Sequence, residues 1–559
     1  MGLFAATVAF VLPIAYSPNV NSPFWSPRLA IVLLLSAVGI PRLVPLILRH
    51  DRAAAFASAF LGVAGLSALV ARQPSMALFG PYGFGAGLVM VAGMAGAWAI
   101  GRSLDQQGRD DVQRGILAAV LVNVVVALAQ EALDLRSLGL SPVRGAYGLL
   151  GNPVHLGALL AGGSAIIAAR FLDRPGRWAS AAVAVGAALQ LSGSRFGLLA
   201  LVAVTGCVVG RRPRAPSAAF MGCLTVGFLG ALVLGPLLTE HTDSPTVVQK
   251  LQSASEGELY NRAQNWRSGL HALADRPALG YGPGRFVEAT SPRRTARMAS
   301  GDPETVFLDA HNLFVEYAVT TGPLGLVTLS GFLLLALRRA RGPLLWCAVG
   351  ILALHIMQPQ SFGTTPLAFL ALGAAGPLHG TRRRRLALLP ATGVLVFLAL
   401  LGAGRLVVGD FRLDQANLDF SIAQGRAAAD DLSPWPEPVS KLGQILFFRA
   451  SMEANAAHRQ ELQRQSLSRL AEAVDRDPAI ATNWNNLGDV ELVLGREDGA
   501  RRAFEQALER NPWSARALTA LAAIAVRHGD EATARPLIAR AEQVLSPEVV
   551  AALVAERSG

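Results

Sequence analysis

Residues 311–337, HNLFVEYAVTTGPLGLVTLSGFLLLAL, join a polar loop to an apolar segment of the chain. The apolar part exceeds the ~20 residues that a helix needs to cross a bilayer. His311 and Asn312 stand at its start, after a polar stretch at 240–310. Because ionisable groups at membrane depth are costly, a histidine at this point indicates function.

Composition predicts a polytopic membrane protein. The chain has 559 residues, of which 52% are hydrophobic and 16% charged, and its mean hydropathy is +0.39. These values fall outside the usual range of soluble proteins. We therefore expect an all-α membrane domain at 1–409 with about 12–13 spans. The predicted spans are 3–17, 29–48, 54–71, 84–101, 115–133, 154–170, 178–192, 196–210, 218–239, 311–337, 343–358, 364–379 and 386–409.

The distribution of charge sets the expected topology. With the amino terminus inside, 18 arginines fall in cytoplasmic loops and 5 in the opposite short loops. This asymmetry obeys the positive-inside rule and places loop 240–310 outside. An odd number of spans also places the tail outside, although one miscounted span would reverse it. The net charge is +11, but the sequence has no basic stripe interleaved with aromatic residues, so nucleic-acid binding is not expected.

The carboxyl-terminal region predicts a soluble helical solenoid. Trp484, Leu487, Gly488, Gly495, Ala500, Phe504, Ala507 and Pro512 have the offsets of a 34-residue tetratricopeptide unit. Neighbouring units are weaker, and an amphipathic helical bundle is the alternative. We expect residues 410–440 to form a linker or irregular bridge and 441–559 to form the repeat domain. Such arrays usually bind peptides, which favours a protein partner at the tail.

Four external segments contribute candidate functional residues. They are the Gly-Asn-Pro turn with its upstream arginine, the Ser-Arg turn between two apolar runs, a helical stretch in the large loop, and the His-Asn pair. His311, Arg195 and Arg262 are the predicted catalytic residues. The predicted substrate-binding residues are Arg144, Asn152, Trp266, Arg267 and Asn312.

These residue types suit one kind of reaction. Arginine makes bidentate contacts with phosphate oxygens, and histidine accepts a proton near neutral pH. The set therefore fits a diphosphate leaving group and a hydroxyl nucleophile. Asp309 and Glu316 are candidates for orienting His311. No metal-ligand spacing accompanies them, and neither a metal nor a cofactor is expected.

At these residues the chain resembles the O-antigen ligase family of bacterial polysaccharide assembly. The resemblance rests on His311-Asn312 followed by Gly322 and Gly325, and on the turn Gly151–Pro153. It also rests on Ser194-Arg195, Arg262 with Trp266, and Gly280-Tyr281-Gly282, and it covers about 140–380. Where family members often have a second asparagine after the turn, this chain has Val154-His155.

The resemblance implies metal-independent transfer of a glycan from an undecaprenyl-diphosphate carrier to an acceptor hydroxyl. The transfer would occur on the outer side of the bacterial inner membrane, among membrane lipids. His311 would be the base, and Arg195 and Arg262 would hold the diphosphate. The acceptor stays open between lipid A-core, a polysaccharide and a protein. A polysaccharide polymerase, a protein O-oligosaccharyltransferase, a lipid-linked-sugar transporter and a membrane-anchored scaffold remain as alternatives.

Overall fold

The computed structural model describes residues 1–141, 145–210, 214–238, 247, 256–378 and 389–558. It is 77% helical, and the described residues contain no strand. The predicted all-α fold is therefore confirmed.

The first half of the membrane domain consists of helices that lie close to the predicted spans. Their bounds are α1 Gly2–Ile14, α2 Ser26–Gly39, α3 Leu43–Ile47, α4 Arg52–Val70, α5 Pro74–Phe79, α6 Leu88–Arg102, α7 Gln106–Ala132, α8 Pro153–Asp173, α9 Pro175–Ser192, α10 Arg195–Val209 and α11 Arg214–Leu238. A short 3-10 turn, Ile40–Arg42, joins α2 to α3.

The large loop and the second half of the membrane domain follow. The loop contains α12 Glu256–Ala272, α13 Phe286–Thr290 and α14 Ala296–Ala299. The chain then returns as α15 Leu313–Arg339, α16 Pro343–Leu354, α17 Thr365–Ala374 and α18 Leu389–Asp419.

Seven helical segments within the described residues are long and apolar enough to cross a membrane. Five further apolar helices of 10–17 residues accompany them, namely α1, α6, α10, α16 and α17. With α9, every predicted span corresponds to a helix, so the chain is a multi-pass membrane protein. Three of the short helices pack against long ones, α1 against α7 and both α10 and α16 against α8.

The carboxyl-terminal tail is a series of helical pairs. Its helices are α19 Ile422–Asp431, α20 Pro436–Met452, α21 Ala456–Arg476, α22 Ala481–Val493, α23 Glu497–Arg510, α24 Ala515–Arg527, α25 Glu531–Ala541 and α26 Pro547–Ser558. The repeat offsets fit this arrangement, because Gly488 lies against the Phe504 ring where α22 and α23 meet. Only a glycine leaves room for the ring at that crossing.

Residues 410–440 differ from the predicted linker. They contain the end of α18, all of α19 and the start of α20. Pro436 and Pro438 occur in the first turn of α20, where a missing backbone N–H costs nothing. Trp435 packs edge-on against Trp25 and donates its indole N–H to Gly80 O at 2.9 Å. This segment is thus fixed to the membrane domain.

The tail contacts the large loop directly. Trp513 donates its indole N–H to Arg294 O at 2.7 Å, and Asn511 Nδ2 donates to Pro303 O at 2.8 Å. Glu304 accepts hydrogen bonds from Ser514 Oγ and from the Arg516 backbone N–H. The large loop and the tail therefore lie on the same side of the membrane domain.

Candidate functional site

His311 lies at the junction between the large loop and α15, beside a buried carboxylate. Its Nδ1 is 2.5 Å from Asp309 Oδ1, and its backbone N–H donates to the same oxygen at 2.9 Å. The Asp309 side chain is 6% exposed and that of His311 is 24% exposed. Asp309 therefore fixes the imidazole by one nitrogen while part of the ring stays accessible.

The backbone at His311 is unusual for a residue with a side chain. Its φ is +51°, in the left-handed region that few non-glycine residues adopt, although asparagine, aspartate and histidine do so more often than the others. The Phe307 ring packs edge-on against the imidazole, with 5.8 Å between centroids. Such strained conformations cluster at functional sites, because the surrounding structure must hold them in place.

The neighbouring polar residues position the loop. Glu316 is buried and accepts a hydrogen bond from the Ala310 N–H at 2.9 Å. Of the two acids proposed to orient His311, Asp309 contacts the ring and Glu316 holds the backbone before it. Asn312 caps α15, with its side-chain oxygen accepting from Phe314 N and Val315 N at 2.9 and 3.1 Å. The contacts of Asn312 are those of a helix cap.

Helix α12 packs against the residues that precede His311. Trp266 donates its indole N–H to Ala310 O at 2.6 Å, and Asn265 Nδ2 donates to Asp309 O at 3.3 Å. One turn earlier on the same face is Arg262, which is 7% exposed. Helix α12 thus carries Arg262 to the same region as His311.

Arg262 also approaches the turn that carries Arg195. Its guanidinium carbon is 5.7 Å from the centroid of the Phe196 ring, and its Nη1 donates to Met357 O at 2.5 Å. Arg195 begins α10, immediately after the N-cap Ser194, whose hydroxyl accepts from Gly197 N. The segments bearing His311, Arg262 and Arg195 are therefore linked through Trp266 and Phe196.

The other three predicted binding residues differ in where they lie. Asn152 caps α8 by accepting from Val154 N at 2.9 Å and also lines a cavity. Arg267 is exposed on α12, on a different side from buried Arg262. Arg144 lies outside the described residues.

Gly322, eleven residues after His311, has a role that its spacing in the sequence does not predict. Gly322 interrupts α15 with φ +72° and ψ 179°, and a Cβ there would lie 2.2 Å from Ala278 O. The loop bearing Gly280 enters this break, where Tyr281 N donates to Val319 O and Gly282 N donates to Thr320 O. Gly322 therefore lets a backbone loop, and not a second helix, enter α15 at this point.

Two contributors to the region were missed at the sequence level. Met357 supplies the carbonyl that holds Arg262, and Phe196 supplies the ring beneath it. A backbone carbonyl carries no signal in sequence. The position of Phe196 directly after Arg195 was the one available indication.

Comparisons with known proteins find a family match in two regions of the chain. Residues 180–330 match the family model described as O-antigen ligase, and residues 481–524 match the model described as tetratricopeptide repeat. The first match includes most of α9, all of α10, the large loop and His311. No curated protein matches the chain.

The chain is thus a multi-pass helical membrane protein in which residues 180–330 are similar to the O-antigen ligase family, and its tail contains a region similar to a tetratricopeptide repeat. The predicted resemblance is confirmed for these two regions. This similarity supports a membrane glycosyl-transfer function of the ligase type.

Proposed function

We propose that this protein transfers a glycan from undecaprenyl diphosphate to an acceptor hydroxyl, with His311 as the general base. The observation that carries the proposal is the 2.5 Å contact between His311 Nδ1 and buried Asp309. If Nδ1 donates to the carboxylate, Nε2 is left as a proton acceptor, and the carboxylate stabilises the imidazolium that forms.

The reaction is a substitution at the anomeric carbon of the donor sugar. The acceptor oxygen forms a bond to that carbon while its proton passes to His311 Nε2. The bond from the anomeric carbon to the diphosphate oxygen breaks, and the electron pair leaves with undecaprenyl diphosphate. The leaving group gains negative charge, and Arg195 and Arg262 are the cations assigned to it.

The contacts around Arg262 support this assignment. The residue is buried, and its Nη1 is held by the Met357 carbonyl, while the ring of Phe196 lies near the guanidinium. A guanidinium fixed in this way presents its charge without further loss of side-chain entropy. Arginine is favoured over lysine because its planar group can contact two phosphate oxygens together.

The test is release of undecaprenyl diphosphate by the purified full-length protein in lipid nanodiscs. The assay contains an undecaprenyl-diphosphate glycan and, in separate reactions, lipid A-core, a polysaccharide or a protein acceptor. His311→Ala should abolish acceptor-dependent release. His271→Ala is the matched control, because His271 is exposed on α12 of the same loop.

The arginines are tested by charge-conserving changes. Arg195→Lys and Arg262→Lys should each lower turnover at least tenfold, because they lose bidentate geometry while keeping the charge. Arg174→Lys, at the exposed turn between α8 and α9, should leave turnover unchanged. Normal turnover by folded His311→Ala protein would refute the proposed base.

The alternatives give different results in the same assay. A polymerase or protein O-oligosaccharyltransferase releases undecaprenyl diphosphate with a different acceptor. A transporter moves the lipid-linked glycan across the bilayer without cleaving it. A scaffold gives neither signal.

A further inference from the structure

A cavity of about 270 Å³ lies between the amino-terminal helices and the Gly-Asn-Pro turn. It falls just below the ~300–1,000 Å³ typical of small-molecule sites, which suits a compact group. Its polar side chains come from Arg28, Asn152, His155, Gln360 and Ser361. Its aromatic lining consists of Phe24, Trp25, Phe84 and Phe362.

Arg28 is the cation of this cavity, and it is 2% exposed. Its two terminal nitrogens donate to the carbonyls of Leu149 and Leu150, and its guanidinium lies 5.7 Å from the Phe24 ring centroid. Its Nε is buried and has no hydrogen-bond partner among the residues that the structure describes. Within the described part of the chain, no carboxylate forms an ion pair with Arg28. A buried charge left in this state is costly unless a ligand compensates it.

The surroundings of Arg28 also favour an anion. The amino-terminal ends of α2 and α8 both contribute residues to the cavity, and helix amino termini attract negative charge. In the described part of the chain, His155 Nε2 is buried and has no hydrogen-bond partner. None of the residues lining the cavity is acidic. The nearby Asp410 carboxylate instead accepts from Ser26 Oγ at 2.5 Å and from Ser22 N at 3.0 Å.

The cavity shares a wall with the candidate active site. Residues 359–361 line the cavity, and His355 Nδ1 contacts Pro359 O at 3.1 Å. On the other side of this segment, His355 O accepts from Leu313 N at 2.7 Å, two residues after His311. The Met357 carbonyl meanwhile holds Arg262. One short segment therefore separates the cavity from both residues.

We propose that this cavity binds a phosphate group of a substrate, with Arg28 as the principal cation and His155 as a second polar contact. The identity of that substrate rests on the proposed transfer reaction, whereas phosphate binding itself does not. The phosphate belongs either to the isoprenoid diphosphate of the donor or to a phosphorylated sugar of the acceptor.

The experiment isolates this cavity from the proposed catalytic arginines. Binding is measured by isothermal titration with the full-length protein carrying Arg195→Gln and Arg262→Gln. The probes are farnesyl diphosphate, glucose 1-phosphate and inorganic diphosphate. We expect this protein to bind at least one probe, and Arg28→Gln added to it should weaken the affinity at least tenfold. A preference for farnesyl diphosphate assigns the site to the donor, and a preference for glucose 1-phosphate assigns it to the acceptor.

Two further variants make the result decisive. Arg42→Gln is the matched control, because Arg42 lies at the opposite end of the same helical segment as Arg28. His155→Leu approximately keeps the side-chain volume, removes the buried nitrogen and should also weaken binding. It is the alternative test of the cavity if the protein with Arg28→Gln does not fold. The inference would be overturned if the protein carrying Arg195→Gln and Arg262→Gln bound none of the probes. It would also be overturned if neither Arg28→Gln nor His155→Leu weakened the binding. Loss of glycan transfer with intact probe binding would count only against the proposed function.

Discussion

Arg285 of the large loop and Asp477 of the tail form a buried, bidentate ion pair. Arg285 Nη1 is 2.6 Å from Asp477 Oδ2, and Nη2 is 2.8 Å from Oδ1. Their side chains are 1% and 2% exposed. Glu288 lies 3.2 Å from the same guanidinium, so two acids surround one arginine. This cluster joins the loop that leads to His311 to the tail.

Asp477→Asn should destabilise the contact between loop and tail by roughly 3–5 kcal/mol, because it leaves a buried guanidinium with one acid fewer. Thermal unfolding and limited proteolysis of the full-length protein measure the effect. The control is Glu531→Gln, which removes an exposed pair with Arg535 and should change nothing measurable. Equal protease resistance of Asp477→Asn and wild type would contradict the prediction.

Asp309→Asn should lower turnover about 10²-fold or more while the protein stays folded. The amide oxygen can still accept the His311 backbone N–H, so the change mainly removes the charge beside Nδ1. Steady-state turnover as a function of pH is the measurement. Asp302→Asn, at an exposed turn of the same loop, is the control. Retained turnover would show that the contact does not assist the imidazole.

Gly322→Ala should destabilise the membrane domain by at least about 2 kcal/mol, because alanine disfavours φ +72° and its Cβ would clash with Ala278 O. Thermal unfolding in detergent reports the loss. Gly404→Ala, where a Cβ meets open space, is the matched control. If Gly322→Ala and Gly404→Ala unfold at the same temperature, the loop around Gly280 can move away from the added methyl group without loss of stability.

Glu437→Gln should flatten the dependence of tail stability on pH. Burial raises the pKa of the Glu437 carboxyl to about 7, and Asp477 adds to this while Arg285 opposes it. The folded state therefore holds a proton that the unfolded state releases above about pH 4.5. Wild-type stability should fall between about pH 4.5 and 7, by roughly 3 kcal/mol at about 1.4 kcal/mol per pKa unit.

Chemical unfolding of the wild type and of Glu437→Gln across this pH range measures the difference. Above pH 7 the variant should be the more stable protein, because glutamine carries no charge to bury. Glu505→Gln, at an exposed position of α23, serves as the control. Identical pH profiles for wild type and Glu437→Gln would show that the carboxyl does not titrate in this range.

Much of the helical framework could be predicted from sequence, because apolar runs and 34-residue offsets are local signals. The contact between Trp435 and Trp25 could not, since those residues are hundreds of positions apart and no periodicity relates them. Pro434, Pro436 and Pro438 suggested irregular structure, but prolines also begin helices.

At the candidate site, the sequence indicates which residues belong to the site better than it indicates which atoms they contact. The sequence offers both Asp309 and Glu316 as partners of His311, and only the structure distinguishes the contact of Asp309 with the imidazole from that of Glu316 with the backbone. Asn312 has the N-cap contacts that its place before an apolar run allows. Arg28 is one of the five arginines that the positive-inside pattern places in the outer short loops. Its burial could not be predicted, because it depends on carbonyls at 149–150, far along the chain.

The contact of Glu304 with Asn485, Ser514 and Arg516 has a consequence for any protein that binds the tail. These groups belong to α22 and to the start of α24, the first helices of two successive repeat units. A foreign peptide aimed at this face must displace a tethered competitor, whose effective concentration is of millimolar order for a short connection. Weak ligands would therefore not bind this face. A strong ligand would displace the large loop, which ends at His311, from the tail.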